Sequence, residues 1–246
     1  MGNIAMSKSE AITSRVVFFV GDDKEFFQEK AIEFTWYMGM SWQQRQRSSI
    51  SLHESIRRLY PGIRVIEAST KSTDYELGRS LSAFNLTLEG IPIENVFQAS
   101  KVFSDGGPYH DLLDVSPKEA RSDERIKIDS KNKDRRLITF RYKQVDYPLK
   151  PRSMFYDYIY IKALSEHPEL ASRICEYDVF TDIEFNQKVP YSDRVGPFNC
   201  QARALAIFVS LERNGLTNEY LKDPGFPMNR IYGHASLPSQ GMLDLG

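Results

Sequence analysis

The chain has 246 residues, 41% hydrophobic, 12% aromatic and 26% charged, and 32 Lys and Arg nearly balance 33 Asp and Glu for a formal net charge of -1. Abundant apolar residues with almost no net charge exclude global disorder, and the longest apolar runs, Val16 to Val20 and Ala204 to Val209, fall far short of a membrane span of about 18–20 residues. Cys175 and Cys200 can make neither a disulfide framework nor a four-cysteine zinc site, and near-neutrality removes the simplest argument for a nucleic-acid partner.

Residues 1–13 are small and polar and are expected as a flexible leader. They hold no apolar signal-peptide core, and Met6 stands where a myristoylation signal needs Ser or Thr, so a cytoplasmic protein is expected. Arg15 to Gly21 reads as a strand, followed by an aromatic stretch of mixed character from Phe26 to Trp42. Between Ser41 and Tyr60, Ile50, Leu52, Ile56 and Leu59 punctuate a polar, basic background, the pattern of an amphipathic helix that Pro61-Gly62 would stop. Arg64 to Glu67 predicts a short strand. Pro92 near the start, with Glu94 in the first turn, predicts a helix over Glu94 to Phe103, and Gly106-Gly107-Pro108 must then turn.

Between Pro117 and Lys143, ten Lys and Arg stand against five Asp and Glu, so this stretch carries about +5 and leaves the remainder near -6. With Arg45, Arg47, Arg57, Arg58 and Arg64 it is either a track for a DNA backbone or a solvated loop. Met154 to Leu164 has helical periodicity, Pro168 opens a further helix, and Gln201 to Arg213 forms another that Gly215 stops. The segment after Pro224 is rich in Pro and Gly.

No dinucleotide-binding, Walker, nucleophile-elbow or zinc-protease string is present, and the histidines at 53, 110, 167 and 234 lack metal-ligand spacing, so neither a metal nor another cofactor is expected. One polar stripe remains. On a helix Glu94, Phe97, Gln98 and Lys101 would share a face. It reads either as a solvated face whose end charges complement the helix dipole, or as a site where a carboxylate, a carboxamide and an amine hold a sugar and move protons.

The string Leu81-Ser82-Ala83-Phe84-Asn85-Leu86, then Gly90, then Glu94-Asn95-Val96-Phe97-Gln98-Ala99-Ser100-Lys101-Val102-Phe103 resembles the NADAR, or YbiA-like, family in order and spacing. Ser116-Pro117-Lys118-Glu119-Ala120-Arg121, Phe155 through Leu170, and Asn199-Cys200-Gln201-Ala202-Arg203 extend the likeness over roughly 66–215. Phe34-Thr35-Trp36-Tyr37, Gln44-Arg45-Gln46-Arg47-Ser48, Thr70-Lys71-Ser72 and Phe180 through Asn186 are similar to the NADAR proteins associated with DarT-type toxins, which ADP-ribosylate guanine in DNA.

The resemblance implies an α+β, mostly helical architecture: one YbiA-like (NADAR) domain over 14–215 with a few short strands, after the 1–13 leader and before a turn-rich C-terminal tail over 216–246. It further implies an ADP-ribosylhydrolase of N-glycosidase type that removes ADP-ribose from ADP-ribosylated guanine in DNA, an antitoxin to a DarT-type toxin encoded nearby, with no membrane partner. The alternatives are a non-catalytic module binding ADP-ribose or the toxin, and an N-glycosidase on small nucleotide metabolites.

Under that reading Glu94 is the acid/base or ribose-hydroxyl partner, and Lys71 or Lys101 is an amine that captures an opened ribose as a Schiff base, with Lys71 slightly preferred. Burial or a cationic neighbour would have to lower such an amine from its ordinary value near 10.4. Asp182, taken with the catalytic candidates, and Glu184 form a ribose clamp or a solvated strand edge. Phe84, Phe97 and Tyr109 shape or stack on the substrate, the two phenylalanines having a core role as the alternative. Asn85, Gln98, Asn199 and Gln201 are hydrogen-bonders to sugar or diphosphate, or local caps. Gly106 and Gly107 offer close backbone approach or a plain turn, and Arg203 meets a phosphate or forms a surface ion pair. His53 and Trp36 are expected to be structural.

Overall fold

The structure is a computed structural model that describes residues 10–127, 134–184, 199–223 and 230–232. Its strands and helices follow from two kinds of burial. β1 (Glu10–Val20) and β2 (Phe27–Tyr37) pair antiparallel along their whole length, so alternate residues of each point to opposite faces. Val17 and Phe19 join Ile32 and Phe34 on one face, beneath α1 (Trp42–Leu59), while Val16 and Phe18 enter the main core on the other. α1 starts at Ser41, whose hydroxyl accepts from the Gln44 N–H, and ends just ahead of Pro61.

β3 (Val65–Glu67) and β9 (Val179–Thr181) complete this sheet in the order β2-β1-β9-β3, with β9 antiparallel to β1 and parallel to β3. Beneath the second face lies α7 (Gln201–Arg213), with α5 (Met154–Ser165) packed on it, and both are buried nearly all round. α5, closed in on all sides, carries almost no amphipathic signal, yet both helices occupy the expected positions. α6 (Pro168–Ile174) opens on its proline.

Between β3 and α5, α2 (Tyr75–Ser80) precedes a tight hairpin, β4 (Thr87–Leu88) and β5 (Ile91–Pro92), closed by Glu89 and Gly90, both at positive φ. α3 (Ile93–Ala99) follows directly, and β6 (Lys101–Phe103), β7 (Leu137–Tyr142) and β8 (Val145–Tyr147) form a third small sheet. α4 (Pro117–Ser122) carries a full Ser116–Glu119 capping box.

The α+β class holds, with four differences in detail. β1 begins at Glu10, inside the stretch expected as leader, and residues 1–9 lie outside the described part. The aromatic stretch after Phe26 is a full strand, so β1 and β2 are longer than the few short strands anticipated. The helix expected over Glu94 to Phe103 ends at Ala99, because Lys101 and Val102 pair with Phe140 and Thr139 and this ladder outweighs the local helical pattern. Within the expected tail, α8 (Thr217–Lys222) buries Tyr220 against Tyr158, and the Tyr232 hydroxyl donates to Asp157; 224–229 and 233–246 lie outside the described residues. No helix among the described residues is long and apolar enough to cross a membrane.

Candidate functional site

Glu94 stands in the first turn of α3 and is buried, its N–H donating to Ala83 O at 2.9 Å. One turn on, the Gln98 side chain donates to Glu94 Oε1 at 2.8 Å, which leaves the buried Gln98 Oε1 without a partner among the described residues. Such an orphaned acceptor costs stability unless a ligand or water satisfies it. Lys101 has left the helix for β6, yet it keeps electrostatic contact with Glu94. Burial lowers its amine to about 8, against the opposing pull of the Glu94 charge. Its Nζ lies 3.4 Å from Ile126 O and 5.2 Å from the Phe97 ring centre. The polar trio is therefore interior, and the solvated-face alternative does not describe it.

Gly107 helps to place this lysine. Its φ is +98°, and a Cβ there would stand 2.3 Å from Lys101 O, so the turn must approach the strand through a glycine. Gly106 closes the same turn with Phe103 through two backbone hydrogen bonds, which makes the pair a structural turn against β6. Tyr109 is held there as well: its N–H donates to Ala99 O, and its hydroxyl accepts from Arg135 at 3.2 Å.

A second polar group gathers at the ends of β3 and β9. Glu67 is fully buried and accepts from Ser69 Oγ at 2.6 Å, Thr181 Oγ1 at 2.7 Å and the Ile183 N–H at 2.9 Å; burial nevertheless pushes its carboxyl upward. Thr181 Oγ1 in turn lies 2.8 Å from His53 Nε2. Burial, then the Arg57 charge, lowers His53 to about 3, so the ring is neutral and its Nε2–H donates to Thr181 while Thr181 donates to Glu67. This chain anchors the loop after β3, where Ser69 Oγ accepts from the Lys71 N–H, and the segment after β9, where Asp182 Oδ1 accepts from the Glu184 N–H. Lys71 Nζ lies 3.1 Å from Thr70 Oγ1 and 3.8 Å from Glu184 Oε1.

Gln201, at the start of α7, ties the two groups together. Its amide donates to Ala68 O, beside the Lys71 loop, and its Oε1 accepts from the Ala83 N–H at 3.1 Å, in the segment that receives Glu94. Tyr156, buried against Phe97, feels the charges of both Glu94 and Asp182. Asn199 lies just ahead of this point, half-buried and next to Cys200, the N-cap of α7.

Other expected residues have structural parts or stand apart from the cluster. Phe97 belongs to the core, stacked on Phe140 at 5.2 Å and edge-on to Tyr156 at 5.3 Å. Arg203 is neither a phosphate ligand nor a surface cation. It is buried and paired with the equally buried Asp157 at 3.2 Å, because α5 and α7 bring both inside the core. Asn85 is exposed and caps Arg79 O at 3.1 Å. Phe84 is half-buried beneath the Arg121 guanidinium, 5.6 Å from its ring centre. The basic stretch is largely engaged with carboxylates, as in Arg125 with Asp111 and Asp123, Arg135 with Asp105 and Arg141 with Asp146; residues 128–133 lie outside the described part. The sequence reading missed Glu67 and Tyr156. The available signal for the first was a glutamate closing the otherwise apolar strand Val65-Ile66-Glu67.

A family model described as "DarT1-associated NADAR antitoxin" matches residues 13–236. No curated protein matches the chain.

Proposed function

Since the chain belongs to the DarT1-associated NADAR antitoxins, we propose that it neutralises its toxin by removing ADP-ribose from ADP-ribosylated guanine in DNA. The observation that carries this reading is the dehydrated trio of Glu94, Gln98 and Lys101, in which the amine is lowered to about 8 beside a carboxylate. Breaking the bond between guanine and the anomeric carbon develops positive charge on the ribose, which a buried carboxylate stabilises. Glu94 donates a proton to the ring oxygen as the ribose C1–O bond opens, Lys101 in its neutral form adds to the resulting iminium carbon, and Glu94 passes the proton of the new ammonium to the guanine nitrogen, which leaves as the lysine imine forms. Water then hydrolyses the imine, freeing ADP-ribose and restoring the amine. Glu94 moves the protons, and the open Gln98 Oε1 accepts from a ribose hydroxyl.

This assignment moves the reacting amine from Lys71 to Lys101, on the strength of burial and the nearby carboxylate. Lys71 then binds and positions, from the loop that Gln201 joins to the Glu94 segment. The test is to incubate the protein with a DNA oligonucleotide ADP-ribosylated on guanine and to follow ADP-ribose by chromatography. Release of free ADP-ribose with return of unmodified DNA is expected. Absence of release with ADP-ribose binding retained would replace the enzyme by a binding module.

A further inference from the structure

A cleft of about 540 Å³ opens where the far ends of β1 and β2 meet the segment after β9, lined by Thr13, Arg15, Trp36, Arg45, Ile183 and Glu184. The strand register that buries Val17 and Phe19 under α1 also builds this cleft. Odd-numbered β1 residues and their β2 partners share one face, so Arg15, Thr13 and Ala11 continue the apolar row outward, with Trp36 opposite Ala11.

The charges in the cleft do not balance. Arg15 is 6% exposed; its Nη1 donates to Ser14 O at 3.0 Å, and its buried Nε has no partner among the described residues. The Arg15 and Arg45 guanidinium groups both lie over the Trp36 ring, 4.9 and 4.7 Å from its centre. Burial, then the Arg45 charge, pulls the Arg15 guanidinium below its ordinary range. Among the described residues the one carboxylate lining the cleft is Glu184, itself half exposed, and its Oε1 stands 4.0 Å from Arg45 Nε and 3.8 Å from Lys71 Nζ, beyond hydrogen-bond reach of both. Arg45 and Lys71 thus share one loosely held carboxylate, and an unsatisfied Arg15 guanidinium donor is buried beside them.

We propose that this cleft binds a phosphate group of the substrate, with Arg15, Arg45 and Lys71 as donors and Glu184 as the carboxylate it displaces. Guanidinium forks suit phosphate oxygens, and the Trp36 face holds both forks in place. The inference rests on the proposed reading for the identity of the substrate. The diphosphate of ADP-ribose and a phosphodiester of the DNA strand offer the same chemistry, and binding measurements separate them.

The experiment is calorimetric titration of the full chain with ADP-ribose and, separately, with an unmodified single-stranded oligonucleotide, for wild type, Arg45→Gln, Arg15→Gln and Glu184→Gln. Circular dichroism first confirms that each variant is folded. Arg45→Gln should weaken one probe by about tenfold to a hundredfold, and Glu184→Gln should tighten the same probe, because it removes the competing charge. A general loss of structure cannot produce these opposite signs. If ADP-ribose is the probe affected, the cleft takes the diphosphate; if the oligonucleotide is, with a shallower salt dependence, it takes the DNA backbone. The proposal is overturned if wild type binds neither probe, or if Arg45→Gln and Glu184→Gln leave both affinities unchanged. Because binding is read apart from hydrolysis, unchanged affinities in a protein that still releases ADP-ribose would reject the cleft alone, and a phosphate-responsive cleft in a protein that releases none would reject the hydrolase alone.

Discussion

Lys101 and Lys71 sit in opposite surroundings. Lys101 is in a strand and 8% exposed, near an aromatic ring and a carboxylate that a carboxamide holds, all within residues 94–101. The Lys71 side chain is 22% exposed, in a loop, and shares Glu184 with an arginine from α1. The first setting strips water from an amine and so favours its neutral, nucleophilic form. The second gathers cations at the edge of an open cleft, where they can hold a phosphate. On the proposed reading, packing divides them into a reacting and a binding lysine, although the sequence slightly favours Lys71 as the reacting one.

The largest effect should come from reversing that division. Lys101→Ala is expected to lower ADP-ribose release at least about a thousandfold and to abolish the adduct trapped by borohydride on ADP-ribosylated DNA. Lys71→Ala should still form the adduct, with substrate affinity reduced about tenfold. In wild type, trapping should rise with pH through a midpoint near 8 and level off once the amine is fully neutral. An adduct that survives in Lys101→Ala and disappears in Lys71→Ala would exchange the two roles.

Arg203 separates site from scaffold. Since Arg203 and Asp157 are both buried, removing one strands the other charge, and Arg203→Leu should cost about 3–5 kcal/mol of stability. Denaturant unfolding measures it. A stable variant with lost ADP-ribose binding would restore Arg203 to the site. Gln201→Ala should act more mildly, costing about 1–3 kcal/mol through the Ala68 and Ala83 hydrogen bonds. Its release rate should nevertheless fall by more than the loss of folded protein explains, because the Lys71 loop and the Glu94 segment are no longer tied.

The sequence exposes the first polar group far better than the second. Glu94, Gln98 and Lys101 lie within one turn-and-strand segment, so their spacing alone suggests shared surroundings, even though the predicted helix ends at Ala99. The second group needs Glu67 from β3, Thr181 from β9 and His53 from α1, and only the sheet order β1-β9-β3 brings them together. α1 and α7 were legible through caps and periodicity, and β2 was not, because Lys30 lies on the same face as Phe34, with its amine over the Phe19 ring. Arg203 misled for a related reason: charge in a sequence reads as surface until a partner on another helix buries it.

The smallest effect concerns the neutral imidazole beneath the Lys71 loop. Folded His53 titrates near 3, against an ordinary 6.5, so the unfolded chain binds the additional proton between these values. Its contribution to stability is full above about pH 6.5 and is lost as pH falls toward 3. Glu67 works the other way: its raised carboxyl binds a proton more readily in the folded state, so its contribution fades as pH rises above the ordinary carboxylate range. The two slopes oppose each other in wild type, and a simple pH profile would hide both. His53→Gln isolates one of them, because the amide can still donate to Thr181 and carries no titratable group. The stability of wild type minus that of His53→Gln should shrink by about 1.4 kcal/mol between pH 7.5 and 5.5, in denaturant unfolding at each pH. A difference that stays constant would mean that the imidazole titrates in the fold as it does in the unfolded chain, and one that grows as pH falls would mean that it is charged in the fold. Thr181 would then accept from a cation, and the loop that carries Lys71 would rest on a buried ion pair with Glu67.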